Sequence, residues 1–122
     1  MWAQPTDTVD EYVIDNIPFF ATFATLGDRI NATTDEDGLL WYESTVERSD
    51  NSLVRVVLFL ADRLDEVRTA LRERGCEVET LASYKLLAVN IPKDVRLVNV
   101  QEYLSVIADQ DVLDYEESIL RQ

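Results

Sequence analysis

Histidine is missing from this 122-residue chain, cysteine occurs once, and glycine and proline occur three times each. Each scarcity closes off a line of chemistry. Without histidine, Ser-His-Asp and Cys-His catalytic arrangements and the usual zinc sites cannot be assembled. With Cys76 alone, no intrachain disulfide can form; that fits a reducing compartment, and the cytoplasm is the expected location. The glycines stand apart at Gly27, Gly38 and Gly75, so no glycine-rich loop cradles a phosphate. No run nears the roughly 18 apolar residues that span a bilayer, and the first residues show no basic segment followed by an apolar one.

Cations are scarce as well. Eleven Lys and Arg stand against 24 Asp and Glu, for a net charge of −13. The excess lies at the two ends: residues 1–47 carry −9 with Arg29 as their only cation, residues 48–108 are neutral, and residues 109–122 carry −4. Such a field suits solubility; it also repels nucleic acid and anionic membranes and would steer a basic partner. An apolar fraction of 47%, with two Trp, five Tyr and four Phe, is enough for one sizeable core, so a single domain over 1–122 is expected.

Along the chain, residues 11–17 read as a strand ended by Pro18, and Phe19, Phe20 and Phe23 as core residues of the segment that follows. After a turn at Gly27-Asp28, Arg29–Thr33 and Leu39–Glu47 flank Asp35-Glu36-Asp37-Gly38 as a hairpin. A second turn is expected at Ser49-Asp50-Asn51. Leu53–Leu60 is an almost unbroken apolar run, the pattern of a strand buried on both faces. Leu64, Val67 and Leu71 form one helical stripe, with Asp62 as N-cap and Gly75 at the left-handed closing position. Cys76–Leu81 and Lys85–Ile91 read as strands. Asn99 and Glu102 have capping-box spacing before a helix that buries Val100, Tyr103, Leu104 and Ile107, and Val112–Leu120 is the last strand.

The order from residue 51 onward is therefore βαββαβ, the split βαβ of ferredoxin-like antiparallel sheets. The expected fold is α+β. That sheet places its helices on one face, and a first strand apolar on both sides needs a second cover. Residues 1–50 are expected to supply it as an N-terminal β-hairpin or half-barrel, leaving 51–122 as the ferredoxin-like part.

Trp2-Ala3, Tyr12-Val13-Ile14-Asp15-Asn16-Ile17-Pro18-Phe19-Phe20, Gly27-Asp28, Asp37-Gly38-Leu39-Leu40-Trp41-Tyr42, Val54-Arg55-Val56, Gly75-Cys76, Leu87-Ala88-Val89 and Tyr115-Glu116-Glu117 carry a resemblance. Together they look like the bacterial family catalogued as domain of unknown function 4265. The Asp-Asn-Ile-Pro-Phe-Phe block followed by Gly-Asp is the most specific part. The family pattern usually has a further strand before the Trp-Ala pair, and a Ser-Gly-His-Ser-like turn where this chain has Ser49-Asp50-Asn51-Ser52, so no histidine role carries over. The resemblance implies a bacterial domain and brings no chemistry with it.

The remaining candidates are carboxylates, one thiol and aromatics. Asp35, Glu36 and Asp37 lack the spacing and closing glutamate of a calcium loop and read as a solvated hairpin tip, so no metal and no cofactor are expected. Glu116 and Glu117, adjacent on a strand, point to opposite faces and do not form an acid pair. Cys76 reads as a small core residue, and Arg63, Arg68, Arg72 and Arg74, interleaved with Asp65 and Glu66, as an ion-paired helix surface. With no catalytic residue set, the chain is expected not to be an enzyme. Trp41 or Tyr42 must face away from the core side of its strand, and an exposed aromatic ringed by carboxylates makes a binding hot spot. The expected function is a non-catalytic, acidic protein-binding module, such as an immunity protein or antitoxin-type inhibitor of a basic toxin or nuclease. Asp35, Glu36, Asp37, Trp41, Glu43, Asp114 and Glu116 would meet the partner. The alternative is a small-molecule-binding or regulatory ferredoxin-like domain. The expected partner is a basic protein and not nucleic acid or membrane, and a homodimer is compatible with the sequence.

Overall fold

In the computed structural model, residues 3–19 and 24–122 are described, and they form two antiparallel sheets and two α-helices. The architecture is α+β. The chain divides into two units, Met1–Ser49 and Asp50–Gln122.

In the first unit β1 (Ala3–Pro5), β2 (Glu11–Ile14), β3 (Arg29–Thr34) and β4 (Leu40–Glu47) follow one another across an antiparallel sheet in chain order. The two-residue alternation of β3 turns Ile30 and Ala32 inward. With Ile14 and Ala24 they make a small buried cluster against which Tyr12 and Tyr42 pack. The hairpin at 35–38 is present: Gly38 N–H donates to the Asp35 carbonyl at 3.1 Å, and Gly38 has φ +80°, a value an L residue adopts only with strain.

Two expectations change in this unit. The strand read over 11–17 stops at Ile14, because both neighbours run out there: β1 pairs Ala3 with Ile14, β3 begins by pairing Arg29 with Val13, and the Gly27 turn closes onto the Ile14 backbone. The edge strand β1 was not expected; three residues containing Pro5 are tolerated there because an edge leaves one side without ladder bonds. Phe19 is half-buried, while Phe20 and Phe23 lie outside the described residues.

In the second unit the elements are β5 (Ser52–Leu58), α1 (Leu64–Glu73), β6 (Glu77–Leu81), β7 (Leu86–Ile91), α2 (Leu97–Ala108) and β8 (Leu113–Ile119). The sheet order is β6-β7-β5-β8, every pair antiparallel. β7 and β5 are the two interior strands, and both are largely apolar, with β7 buried along its whole length. Val54, Val56 and Leu58 share one cluster with Leu87, Val89 and Ile91 of β7, Val67 and Leu71 of α1, and Val100 and Leu104 of α2. Both helices therefore cover the same face. Each such buried Val or Leu contributes about 1.5–3 kcal/mol relative to exposure. On the opposite face Leu53, Arg55, Ala88 and Asn90 are also buried. The apolar run ends less deeply than expected: the strand stops at Leu58, and Val57, Phe59 and Leu60 are 44%, 54% and 45% exposed.

The helix ends divide in the same way. At the C-terminus of α1, Gly75 at φ +95° closes the helix as its spacing required, with Cys76 N–H reaching back to the Leu71 carbonyl at 3.2 Å. The side-chain N-caps do not form. Asp62 lies inside a 3-10 turn, Ala61–Arg63, that leads into α1. Asn99 and Glu102 lie inside α2, which begins two residues before Asn99, and its Leu97 N–H is taken by the side-chain oxygen of Gln122 at 3.1 Å.

Candidate binding surface

The β3–β4 turn is organised by one carboxylate. Asp35 Oδ1 accepts the backbone N–H groups of Asp37 and Leu39, both at 2.9 Å, and Oδ2 accepts the indole N–H of Trp41 at 2.7 Å. An aspartate at the head of a turn does this because its short side chain reaches donors two to four residues on. The indole bond, followed by the Leu39 bond, holds the Asp35 carboxyl below its ordinary value although it is exposed to water.

Trp41 is thereby fixed in the open. It pairs with Thr33 on the face opposite Ala32 and Tyr42, and it remains 60% exposed beside Leu39 at 58% and Leu40 at 38%. Glu43 is a bulge residue. The register jumps from Ala32–Tyr42 to Asn31–Ser44, and Glu43 accepts the Thr33 hydroxyl at 3.2 Å on the same face as Trp41. A second jump leaves Val46 outside the ladder. Farther along that face Arg29 is held by Glu11 at 3.0 Å and Glu47 at 3.3 Å. Five of the residues singled out by sequence, Asp35, Glu36, Asp37, Trp41 and Glu43, thus share one hairpin, with an aromatic ring already positioned and carboxylates around it.

Asp114 and Glu116 lie in the other unit, on β8, both exposed. Glu116 faces Arg55 across the strand pair, 3.9 Å from its guanidinium, and Ser118 Oγ lies within reach of both. Burial pulls Arg55 below its ordinary value while the Glu116 charge acts in the opposite sense. A pair this long with one exposed partner contributes at most about 1 kcal/mol.

Sequence reading missed Asp28, taken only as part of a turn. It is fully buried, and its carboxylate accepts Thr25 N–H at 3.0 Å and Ser49 N–H at 2.8 Å, with Ser49 Oγ at 2.9 Å. The signal was the Gly27-Asp28 pair, whose partner Ser49 stands 21 residues away. Cys76 is buried, and desolvation raises its thiol to about 11 against a smaller opposing effect of Arg74. The arginines of α1 and its two ends are all partnered: Arg63 with Glu66, Arg68 with Asp65, Arg72 with the Val78 carbonyl, and Arg74 with the Ala70 carbonyl and, 4.2 Å from its centre, the Tyr103 ring. Among the described residues, no three of Cys, Asp and Glu gather as a metal site, and no helix is long and apolar enough to cross a membrane.

These features define an α+β protein with an acidic, aromatic-tipped hairpin. The chain belongs to the family described as domain of unknown function (DUF4265), whose model matches residues 1–115. Among solved structures, one described as a novel crystal structure of a hypothetical protein from Neisseria gonorrhoeae is similar with a TM-score of 0.75 at 22% identity, over 92% of this chain and 77% of that one. Likeness at that identity is one of fold. No curated protein matches.

Proposed function

We propose that the chain is a non-catalytic acidic module that binds a basic protein in the cytoplasm, in the manner of an immunity protein or antitoxin-type inhibitor of a basic toxin or nuclease. The observation that carries the reading is Trp41: its indole N–H is satisfied by Asp35, its ring is exposed, its cross-strand partner Thr33 donates to Glu43, and the same hairpin carries Glu36 and Asp37 at its exposed turn. A fixed aromatic loses little side-chain entropy on binding, and hot spots concentrate on such anchors. The −9 charge of residues 1–47 matches a basic partner and would speed encounter.

Asp50–Gln122 is read as a ferredoxin-like split βαβ, supported by the β6-β7-β5-β8 order and by both helices packing on one face. That fold-level likeness also favours the second reading, a regulatory or small-molecule domain.

The test is capture of a stoichiometric partner from the source cell with the tagged full chain, followed by binding kinetics. Trp41→Ala should weaken the complex by about 30-fold, the effect of a hot spot worth 2 kcal/mol. Replacing Glu36, Asp37 and Glu43 by their amides should slow association and flatten its salt dependence. Recovery of a small metabolite and no protein would sink the inhibitor reading.

A further inference from the structure

We propose that the open edge of β8, with the groove between it and α2, receives an extended basic segment of a partner protein as an added strand. The inference rests on the module reading above and adds a second contact, made by backbone pairing.

β8 is the last strand of the order β6-β7-β5-β8, bonded to β5 on one side and to no described strand on the other. Seven residues long, it offers a longer edge than β6, which has five. In the first unit the edge strand β4 is broken by two register jumps, a device that discourages strand addition.

The side chains of β8 alternate. Leu113 and Tyr115 pack toward the helices, and Glu117 lies on that side too, accepting Gln101 Nε2 at 3.0 Å. Asp114 and Glu116 alternate to the other side, Glu116 beside Arg55 and Asp114 with one carboxylate oxygen accepting the Tyr115 N–H at 2.8 Å, a bond that an added strand would replace. An incoming strand would therefore meet carboxylates on both faces. On the helix side it would also meet a groove lined by Gln101, Glu102, Ser105, Val106 and Tyr115, in which Val106 is 57% exposed. In strand addition the main chain supplies affinity and the pockets for alternate side chains supply selectivity. Here alternate positions call for an apolar residue against Val106 and Tyr115, and for Lys or Arg beside Asp114 and Glu116.

Charge decides between occupants. Pairing β8 with a second copy of itself about a two-fold axis would set carboxylate against carboxylate, Glu116 opposite itself with the axis there or Asp114 opposite Glu116 with the axis at Tyr115, and like charges directly opposite destabilise a strand pair. A basic segment turns each of those contacts favourable.

The probe is an eight-residue peptide alternating lysine and valine, titrated into the isotope-labelled full chain while backbone amide shifts are followed. Shifts should cluster in 101–106 and 113–119. Full N-methylation of the peptide backbone, the triple change Asp114→Asn, Glu116→Gln and Glu117→Gln, and Val106→Arg should each weaken binding by about tenfold or more, the loss of about 1.4 kcal/mol. Val106 is exposed, so its variant should keep its fold. Absence of binding, or equal binding of the N-methylated peptide, would overturn the inference. So would a sedimenting dimer broken by Val106→Arg, which would make the occupant a second copy. Shifts confined to 35–43 would remove the edge while leaving the module reading standing, since that reading is judged separately by Trp41→Ala against the captured partner.

Discussion

Asp35 shows how a single carboxylate can be spent on geometry and so leave a neighbour for binding. Its lowered pKa means that the bonds to Trp41, Leu39 and Asp37 favour the ionised carboxylate, so protonation weakens them. A depressed carboxylate contributes order that is full above its unfolded value, 3.8 for Asp, and is lost as pH falls through the lower folded value. The Trp41 indole N–H resonance should therefore stay in place from neutral pH down to about 4 and shift only below 3.8, with Asp35→Ala shifting it at every pH. Movement beginning near pH 6 would refute that account. Cys76 behaves in the opposite way: with its thiol near 11, about one molecule in a thousand carries the reactive thiolate at pH 8. Disulfide exchange with a thiol reagent should be undetectable in the native chain and complete in denaturant, and rapid native labelling would show that the residue is reachable.

At the scale of elements, Gly75 connects α1 to β6 where backbone and packing both exclude a side chain. Its φ is +95°, and a Cβ built there would lie 2.8 Å from Val95 Cγ2. Gly75→Ala should cost at least about 1–2 kcal/mol from the backbone alone. Adding Val95→Ala to it should recover only the part due to the clash, so the double-mutant cycle in denaturant melts should show favourable coupling. Additive losses would mean the contact carries no energy. This junction was legible in the sequence because one glycine after a 3.6-period stripe has few other uses. The N-caps were not. Asp62 and Asn99 obey local capping patterns, yet a 3-10 turn absorbs the first, and the orphan N–H of Leu97 is served by Gln122, 25 residues on. A bond formed across that separation leaves no trace in a local window. The same limit hid Asp28, whose partner Ser49 is brought close only by the sheet, whereas the acidic hairpin with Trp41 could be read directly because it lies within nine residues.

For the whole molecule the governing quantity is the charge of −13, concentrated as −9 over residues 1–47 and −4 over residues 109–122. Like charges at this density repel within each acidic stretch, and surface ion pairs such as Arg29–Glu47 and Arg63–Glu66 offset little of it, since exposed pairs contribute under about 1 kcal/mol. Salt shortens the range of both effects, from roughly 30 Å at 0.01 M to about 10 Å at 0.1 M. Self-repulsion acts over the longer distances and is screened first. The melting temperature of the free chain should therefore rise between 0.01 and 0.3 M sodium chloride, while the association rate with a basic partner should fall over the same range because the same field steers the encounter. The opposite signs make the measurement discriminating. Amide replacement of Glu36, Asp37 and Glu43 should reduce both slopes together. If the melting temperature falls with salt, the ion pairs outweigh the repulsion. If its rise persists while association is indifferent to salt, the acidity serves solubility and the partner recognises the apolar ring of Trp41 alone.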